Sequence, residues 1–318
     1  MSTKDFSKQN ILVLGAGELG MSVLSALSEL RGKSRVPPVS VLLRPVTDRP
    51  DADVKRRAET LDSLGIATVE ADLAAASIDD LASLFSRYST VVCCTGFVGG
   101  RGTQRKITSA VLQAGVKQYI PWQFGVDYDA VGRGSGQEVW DEQLDVRQML
   151  RGQSEVDWKI ISTGMFMSFV FVPEFGVADL SAGRVRALGS WDYRLTLTTA
   201  EDIGLLTALV LESWNEIADE IVFVAGDTVS YRELADIVED ALDRPVERLL
   251  WSVPELEKDA GAEPNNPMPS YRLAFARPEG VAWPKEHTFN ARRNIAVTDI
   301  SGWLRERAGG GAYRVASP

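Results

Sequence analysis

The sequence predicts an α/β protein, a Rossmann-type doubly wound parallel sheet joined to a smaller α+β substrate domain. Three observations predict it. Strand-like and helix-like segments alternate from Asn10 to Gly164. A GxGxxG pattern, GAGELG, directly follows the first apolar run. After Gly164 the alternation gives way to short strands and an aromatic-rich stretch. Alternation on this scale calls for right-handed crossovers that place helices on both faces of a parallel sheet.

The elements follow in order. NILVLGAG is an apolar run of strand length, and LGMSVLSALSEL spaces its apolar residues as a helix does. PVSVLLR is the second strand, with a polar-faced helix over Lys55 to Leu64. IATVEADL, STVVCCTG, KQYIPWQFG and VDWKIISTG are further strands, separated by the helices SIDDLASLFSRY, TQRKITSAVLQAG and QEVWDEQLDVRQMLRG. MFMSFVFVPEFG is too irregular for one clean strand, whereas RVRALG, RLTLTT and EIVFVAG are strand-like. AEDIGLLTALVLE and SYRELADIVEDAL are helices, the second capped by Ser230. The stretch from Val253 to Trp283 is rich in proline, asparagine and aromatics, and GGGAYRVASP reads as a mobile tail. The expected division is a dinucleotide-binding domain over residues 1–163, with returning segments around 196–225, and a substrate domain over 164–195 and 226–318.

Composition narrows the function. The 318 residues are 45% hydrophobic and 25% charged, ordinary for a globular protein. The net charge of −10 argues against a nucleic-acid binder, which needs a basic face to displace counterions. No apolar run is long enough to span a bilayer, and MSTKDFSKQN has no apolar signal-peptide core, so the expected location is the cytoplasm, with no membrane partner. Cys93 and Cys94 are neighbours in an apolar strand, so they point to opposite faces and read as reduced core thiols. The single histidine, His287, excludes a histidine-rich metal site, and no metal is expected.

In GAGELG each glycine has a physical task. Gly15 permits the tight turn, Gly17 lets the backbone approach a pyrophosphate, and Gly20 permits close helix–strand packing. Glu18 and Leu19 complete the helix start, whose N–H groups and positive dipole end face the phosphates. An acidic residue usually ends the second strand where NAD is preferred. Here Arg44 stands there, and a guanidinium forks onto phosphate, so NADP(H) is the expected cofactor. Lys55 adds charge from the next helix, while Arg56 and Arg57 read as a solvated face. Ligands lie beyond the C-terminal ends of parallel strands. That rule places Asp72 and Leu73 at the adenine, and Thr95, Gly96 and Phe97 along the ribose and diphosphate. It places Trp122, Gln123, Phe124, Thr163, Gly164 and Phe166 nearest the nicotinamide.

The motifs ILVLGAGELG, VLLRP, KQYIPWQFGVDYDAVGRG, WDEQLDVRQML, STGMF and TTAEDIG, kept in order along nearly the whole chain, resemble the NmrA-like and isoflavone-reductase-like proteins. These are atypical short-chain dehydrogenases, and the likeness is closest to the fungal branch associated with secondary metabolism. The resemblance implies NADPH, a Rossmann domain and a small substrate domain. It also implies a lysine on the helix after the EFG-type strand, which contacts the nicotinamide ribose and takes part in proton transfer. Aligning Arg147 with the family's arginine puts Gln143 at that lysine. An amide can hold a ribose by hydrogen bonds, but it is no general acid with a tunable pKa. No Tyr-x-x-x-Lys pair replaces it.

Other groups that could handle a proton are few. GVDYDAVGRG offers Asp127, Tyr128 and Asp129, and a carboxylate in an apolar cleft can be raised toward neutrality. Glu142 and Asp145 are expected on the outer face of their helix. Substrate-lining candidates are Met165, Phe166, Phe169, Tyr193, Trp283 and His287, a set suited to a bulky, flat, largely apolar small molecule. Three functions compete. The first is an NADPH-dependent reductase of an aromatic or polycyclic metabolite. The second is a non-redox enzyme that keeps NADP(H) in its site and isomerises or rearranges a natural product. The third is a sensor that reports NADP(H) to a protein partner without catalysis.

Overall fold

The computed structural model describes residues 10–33, 35–45, 51–97, 99–218, 220–263 and 265–309. The chain divides into two compact units. Unit 1 comprises residues 1–123, 145–161 and 203–222, and unit 2 comprises 124–144, 162–202 and 223–318. The expected boundary after residue 163 therefore shifts, because residues 124–144 and 196–202 belong to unit 2. The sequence hides this switch, since strand–helix alternation continues unbroken through it. The tail expected over GGGAYRVASP lies, apart from Gly309, outside the described residues.

Unit 1 is built on a six-stranded sheet of order β3-β2-β1-β4-β5-β6, every neighbouring pair parallel. Its strands are β1 (Ile11–Leu14), β2 (Val39–Leu43), β3 (Ala67–Glu70), β4 (Thr90–Cys93), β5 (Gln118–Ile120) and β6 (Asp157–Trp158). The order reverses direction between β1 and β4, the switch point at which open α/β sheets leave a crevice for ligands. All four residues of β1 and of β4 are buried, as strands covered on both faces require. The crossovers are α1 (Glu18–Gly32), α2 (Ala52–Ser63), α3 (Ile78–Phe85) and α4 (Thr103–Ala114). Helix α2 begins earlier than Lys55, because the Asp51 carboxylate accepts from the Val54 N–H and fixes the cap there. Leu12, Leu14, Val91, Phe85, Ile107 and Tyr119 are among the residues of the unit's core.

Helix α5 (Tyr128–Val131) is one turn that the sequence did not suggest, and α6 (Glu138–Arg151) follows it. The VDWKIISTG run breaks at Lys159, whose ammonium leaves the sheet to bond Ile217 O at 2.9 Å and to sit 5.1 Å from the Trp214 ring centroid. Only β6 joins the large sheet, and β7 (Ile160–Ser162) pairs with β12 (Ile221–Phe223). Helix α7 (Ala200–Glu212) carries Gly204, where a Cβ would lie 2.4 Å from the Ser22 backbone. That glycine lets α7 approach α1 within unit 1.

Unit 2 contains two three-stranded sheets, β13-β11-β8 and β14-β10-β9. Their strands are β8 (Met165–Phe166), β9 (Ala178–Asp179), β10 (Arg184–Leu188), β11 (Arg194–Thr198), β13 (Asp227–Ser230) and β14 (Glu247–Trp251). The irregular MFMSFVF stretch is β8 followed by a 3-10 turn over Met167–Phe171. Helix α8 (Tyr231–Leu242) starts with a full capping box between Ser230 and Glu233. The proline-rich stretch also resolves into helices, α9 (Val253–Ala262) and α10 (Pro267–Phe275). Pro254, Pro267 and Pro269 stand in the first turns of these helices, where a missing N–H costs nothing. Helices α11 (Phe289–Arg292) and α12 (Ile300–Gly309) complete the chain order. Phe171, Phe175, Tyr231 and Trp303 are among the residues of this unit's core.

Candidate functional site: the glycine cleft of unit 1

The turn from β1 into α1 forms one wall of a cleft of about 280 Å³. Gly15 has φ +91°, and a Cβ there would also meet Thr95 Cγ2 at 2.9 Å. At Gly20 a Cβ would lie 2.2 Å from Gly15 O, so only glycine lets the helix start sit against the turn. Gly17 differs from both. Its φ of −73° suits any residue, and a Cβ would find nothing within 4 Å. Neither backbone strain nor protein packing requires glycine at 17. The space above it is open. The first turn of α1 has no side-chain cap, so its N–H groups are offered to that space by the helix itself.

The lining of the cleft also includes cations. Arg44, just after β2, and Arg57, on α2, both line the cleft. Arg44 Nε lies 3.8 Å from Asp72 Oδ2. Arg57 has no ion pair among the described residues. Lys55 is exposed and does not line the cleft, and Arg56 pairs with Asp53 at 3.3 Å. Arg57, read from the sequence as part of a solvated face, therefore lines the cleft where Lys55 was expected to. Asp72 caps the turn after β3, accepting from the N–H groups of Ala74 (2.8 Å) and Ala75 (3.2 Å). Those two bonds, with Arg44 and Lys106 adding charge, hold its carboxyl below the usual carboxylate range. Leu73 lines the cleft.

Past β4, Thr95 lines the cleft and Gly96 takes φ +57°. Gln104 of α4 donates its side-chain amide to Gly96 O and so holds this turn. The Phe97 and Trp122 rings meet edge to face, with centroids 4.4 Å apart. Thr103 also lines the cleft and was not anticipated. Gly99 brings the chain close against it, since a Cβ there would lie 2.5 Å from Thr103 Oγ1, and Gly102, at φ +87°, begins α4. The glycine cluster GGRG was the available signal. Cys93 and Cys94 are both buried, burial pushes both thiols up, and Cys94 is among the residues lining the cleft.

The other residues expected at the cofactor do not line this cleft. Leu19 is 6% exposed, in the core, so only its backbone can serve a ligand. Glu18 is exposed in the first turn of α1. Gln123 is buried and accepts a bond from Arg147 Nε at 2.9 Å. Phe124, Thr163, Gly164 and Phe166 belong to unit 2. Thr163 and Gly164 both donate to Gly125 O there, and at Gly164, with φ +73°, a Cβ would lie 2.0 Å from Thr196 O. Phe124 is 5% exposed and Phe166 half-buried.

The acid candidates differ in their surroundings. Asp127 is the N-cap of α5 and accepts from the Asp129 N–H. Tyr128 is buried in the core, 6.0 Å from the Trp140 ring centroid, and Asp129 is exposed. Gln143 is fully buried. Glu142, expected outside, is also buried, whereas Asp145 is half-buried and paired with Arg105 at 3.3 Å. Of the substrate candidates, Met165 is a core residue, Phe169 packs on Phe175 and Tyr271, and His287 is exposed. Tyr193 and Trp283, 90 residues apart, line one cavity of unit 2.

Among the described residues no group of three or more histidine, cysteine or acidic side chains is placed to hold a metal, and no helix is long and apolar enough to cross a membrane.

Comparison with known proteins agrees with this architecture. The model of the NmrA-like family matches residues 7–271. An NmrA-like family domain-containing oxidoreductase of Gibberella moniliformis is 42% identical over 299 residues, covering 93% of this chain and 97% of that protein. Among solved structures, an isoflavone reductase superposes with a TM-score of 0.73 at 20% identity, covering 94% of this chain and 99% of that one. A leucoanthocyanidin reductase–NADPH complex from Vitis vinifera superposes with a TM-score of 0.74 at 18% identity, covering 93% and 98%. The glycine turn, the 3-2-1-4-5-6 sheet and these matches lead to one conclusion: the chain belongs to the NmrA-like family.

Proposed function

We propose that this chain is an NADP(H)-dependent oxidoreductase acting on a bulky aromatic or polycyclic metabolite. The observation that carries the cofactor reading is Gly17, whose missing side chain serves neither the backbone nor the packing and leaves room beside the start of α1. A dinucleotide pyrophosphate suits that space, and its N–H donors suit phosphate oxygens. Arg44 and Arg57 line the same cleft and favour a 2′-phosphate over a bare ribose. The oxidoreductase name of the fungal relative and the NADPH bound by the grapevine reductase support the same reading. When bound, the reduced nicotinamide supplies a hydride. The residues of this chain hold and orient the dinucleotide.

A second reading is a non-redox rearrangement that retains NADP(H). It is favoured by Gln143, a fully buried amide at the position that the resemblance gives to a proton-handling lysine. One experiment separates the two. Purified protein is incubated with NADPH and aromatic metabolites, with absorbance and product mass followed together. Product two mass units heavier, with stoichiometric NADPH loss, supports reduction. Product of unchanged mass with NADPH intact supports rearrangement, and no NADPH binding at all sinks both.

A further inference from the structure

Strand β14 is an outer strand of its sheet, with β10 on one side and no strand on the other. Its five residues run in unbroken parallel register with β10, from Glu247 beside Arg184 to Trp251 beside Leu188. The Glu247 N–H donates to Gly183 O at 2.8 Å, and Trp251 O accepts from the Gly189 N–H at 2.8 Å. That phase turns the backbone groups of Glu247, Leu249 and Trp251 toward β10. It turns those of Arg248 and Leu250 outward, and these have no backbone partner among the described residues.

Exposed edges are commonly blunted by a bulge, a proline or an unpaired charge. Strand β14 has no bulge and no proline, and both of its charges are paired. Arg248 bonds Asp236 at 2.7 Å and Glu239 at 3.0 Å, and Glu247 pairs with Arg184. Leu249 is 36% exposed and Leu250 47%, two of the three exposed large hydrophobic side chains among the described residues.

The edge is complementary to itself. Antiparallel pairing about a two-fold axis at Leu249 sets Arg248 opposite the partner's Leu250 and Leu250 opposite the partner's Arg248. These residues have the outward backbone groups, so each pair exchanges two hydrogen bonds. Leu249 then meets the partner's Leu249 in the closer, non-hydrogen-bonded position. Glu247 comes opposite the partner's Trp251. In each chain the guanidinium carbons of Arg186 and Arg272 lie 5.0 and 4.8 Å from the Trp251 ring centroid. The acidic end of one strand therefore meets the cationic end of the other, and the two-fold axis repeats the match.

We propose that β14 pairs with β14 of a second copy of this chain, joining their two β14-β10-β9 sheets into one. The contact lies on unit 2 and does not depend on the cofactor reading. With one short strand from each copy it is small for a specific interface, so a reversible dimer with a Kd of roughly 1–100 µM is expected.

The test is sedimentation velocity of the full chain across roughly 1–200 µM, joined to cross-linking. Leu249→Lys sets two ammonium groups against each other at the axis and should weaken dimerisation at least about tenfold. Leu249→Cys should form a disulfide between copies under mild oxidation, because Cα atoms in a non-hydrogen-bonded pair lie about 4.5 Å apart. The two native thiols are buried and do not compete. Ile78→Cys, at a position 37% exposed on α3, should cross-link far more slowly. Thermal melts confirm that each variant is folded. A chain that stays monomeric across the range, a dimer indifferent to Leu249→Lys, or Leu249→Cys cross-linking no faster than Ile78→Cys would each overturn the proposal.

Discussion

Arg147 and Gln123 are both fully buried, and Arg147 Nε donates to the Gln123 side-chain oxygen at 2.9 Å. A guanidinium taken out of water needs acceptors, and an amide oxygen supplies one without a second buried charge. Gln123→Leu removes that acceptor and leaves the donor in place. It should lower unfolding free energy by about 1–3 kcal/mol, measured by urea denaturation. Gln123→Glu, which keeps an acceptor and adds charge complementarity, should lose less. Equal losses for the two variants would mean that the hydrogen bond does not matter there.

The glycines of GAGELG should separate stability from binding. Gly17→Ala adds a Cβ in open space at an ordinary φ, so stability should change by less than about 0.5 kcal/mol. NADPH affinity should fall at least about tenfold, because the methyl takes the ligand's place. Gly20→Ala forces a Cβ to within 2.2 Å of a backbone oxygen, and overpacking of this kind costs about 1–3 kcal/mol. Thermal melts with and without NADPH distinguish the two. Normal NADPH binding by the Gly17→Ala variant would remove the main support for the cofactor site.

Legibility in the sequence followed the range of the interactions. The β1–turn–α1 unit was readable because one apolar run, three glycines and one helix period lie within about twenty residues. The start of α2 was not, because the Asp51 side chain sets it, and which cation of α2 faces the cleft depends on how the helix packs: Arg57 lines the cleft and Lys55 does not. Asp127 illustrates another limit, since an acid beside a tyrosine in a loop looks the same whether it caps a helix turn or handles a proton. Tyr193 and Trp283 were named as substrate aromatics together with Met165 and His287. Strand pairing between β11 and β13 and the Trp283 bonds to Thr196 and Val224 bring the first two to one cavity. Nothing local marked Met165 for the core or His287 for the surface.

Cofactor choice should respond to three charges. Arg44→Ala and Arg57→Ala should each weaken NADPH about tenfold and leave NADH nearly unchanged. Asp72→Asn should act in the opposite sense. The asparagine oxygen can still accept from Ala74 and Ala75, while the carboxylate 3.8 Å from Arg44 is gone. A gain in NADPH affinity of about threefold is expected, shrinking as salt is added. The comparison needs only nucleotide titrations at two ionic strengths. Equal effects on NADH and NADPH would place the 2′-phosphate elsewhere.

Acid should loosen the start of α8 first through its capping box. The Ser230 backbone N–H, followed by its hydroxyl, holds the Glu233 carboxyl below the ordinary 4.5. A carboxyl with a depressed folded value stabilises the fold above its unfolded value. That contribution is lost as pH falls through the folded one. The loss therefore belongs below pH 4.5, not near neutrality. Ser230→Ala removes the cap at any pH and should cost about 1 kcal/mol. Glu233→Gln should flatten the part of the stability–pH curve below 4.5, and an unchanged slope there would assign the acid sensitivity to other carboxylates.

Gln143→Lys tests the proton question directly. Gln143 is fully buried on α6, at the place the resemblance gives to the family's lysine. An ammonium placed there is desolvated, which lowers its pKa toward the range useful for proton transfer. If the chain is a reductase whose proton reaches the product from water or substrate, the lysine should raise kcat by about ten- to a hundredfold. It should also add a pH-dependent limb to the rate profile that Gln143→Met lacks. If the chain rearranges its substrate without hydride transfer, the lysine brings no NADPH consumption, and the product mass stays unchanged. A lysine variant that binds NADPH, consumes it at the parent rate and shows no new pH limb would mean that this helix position has no part in proton delivery.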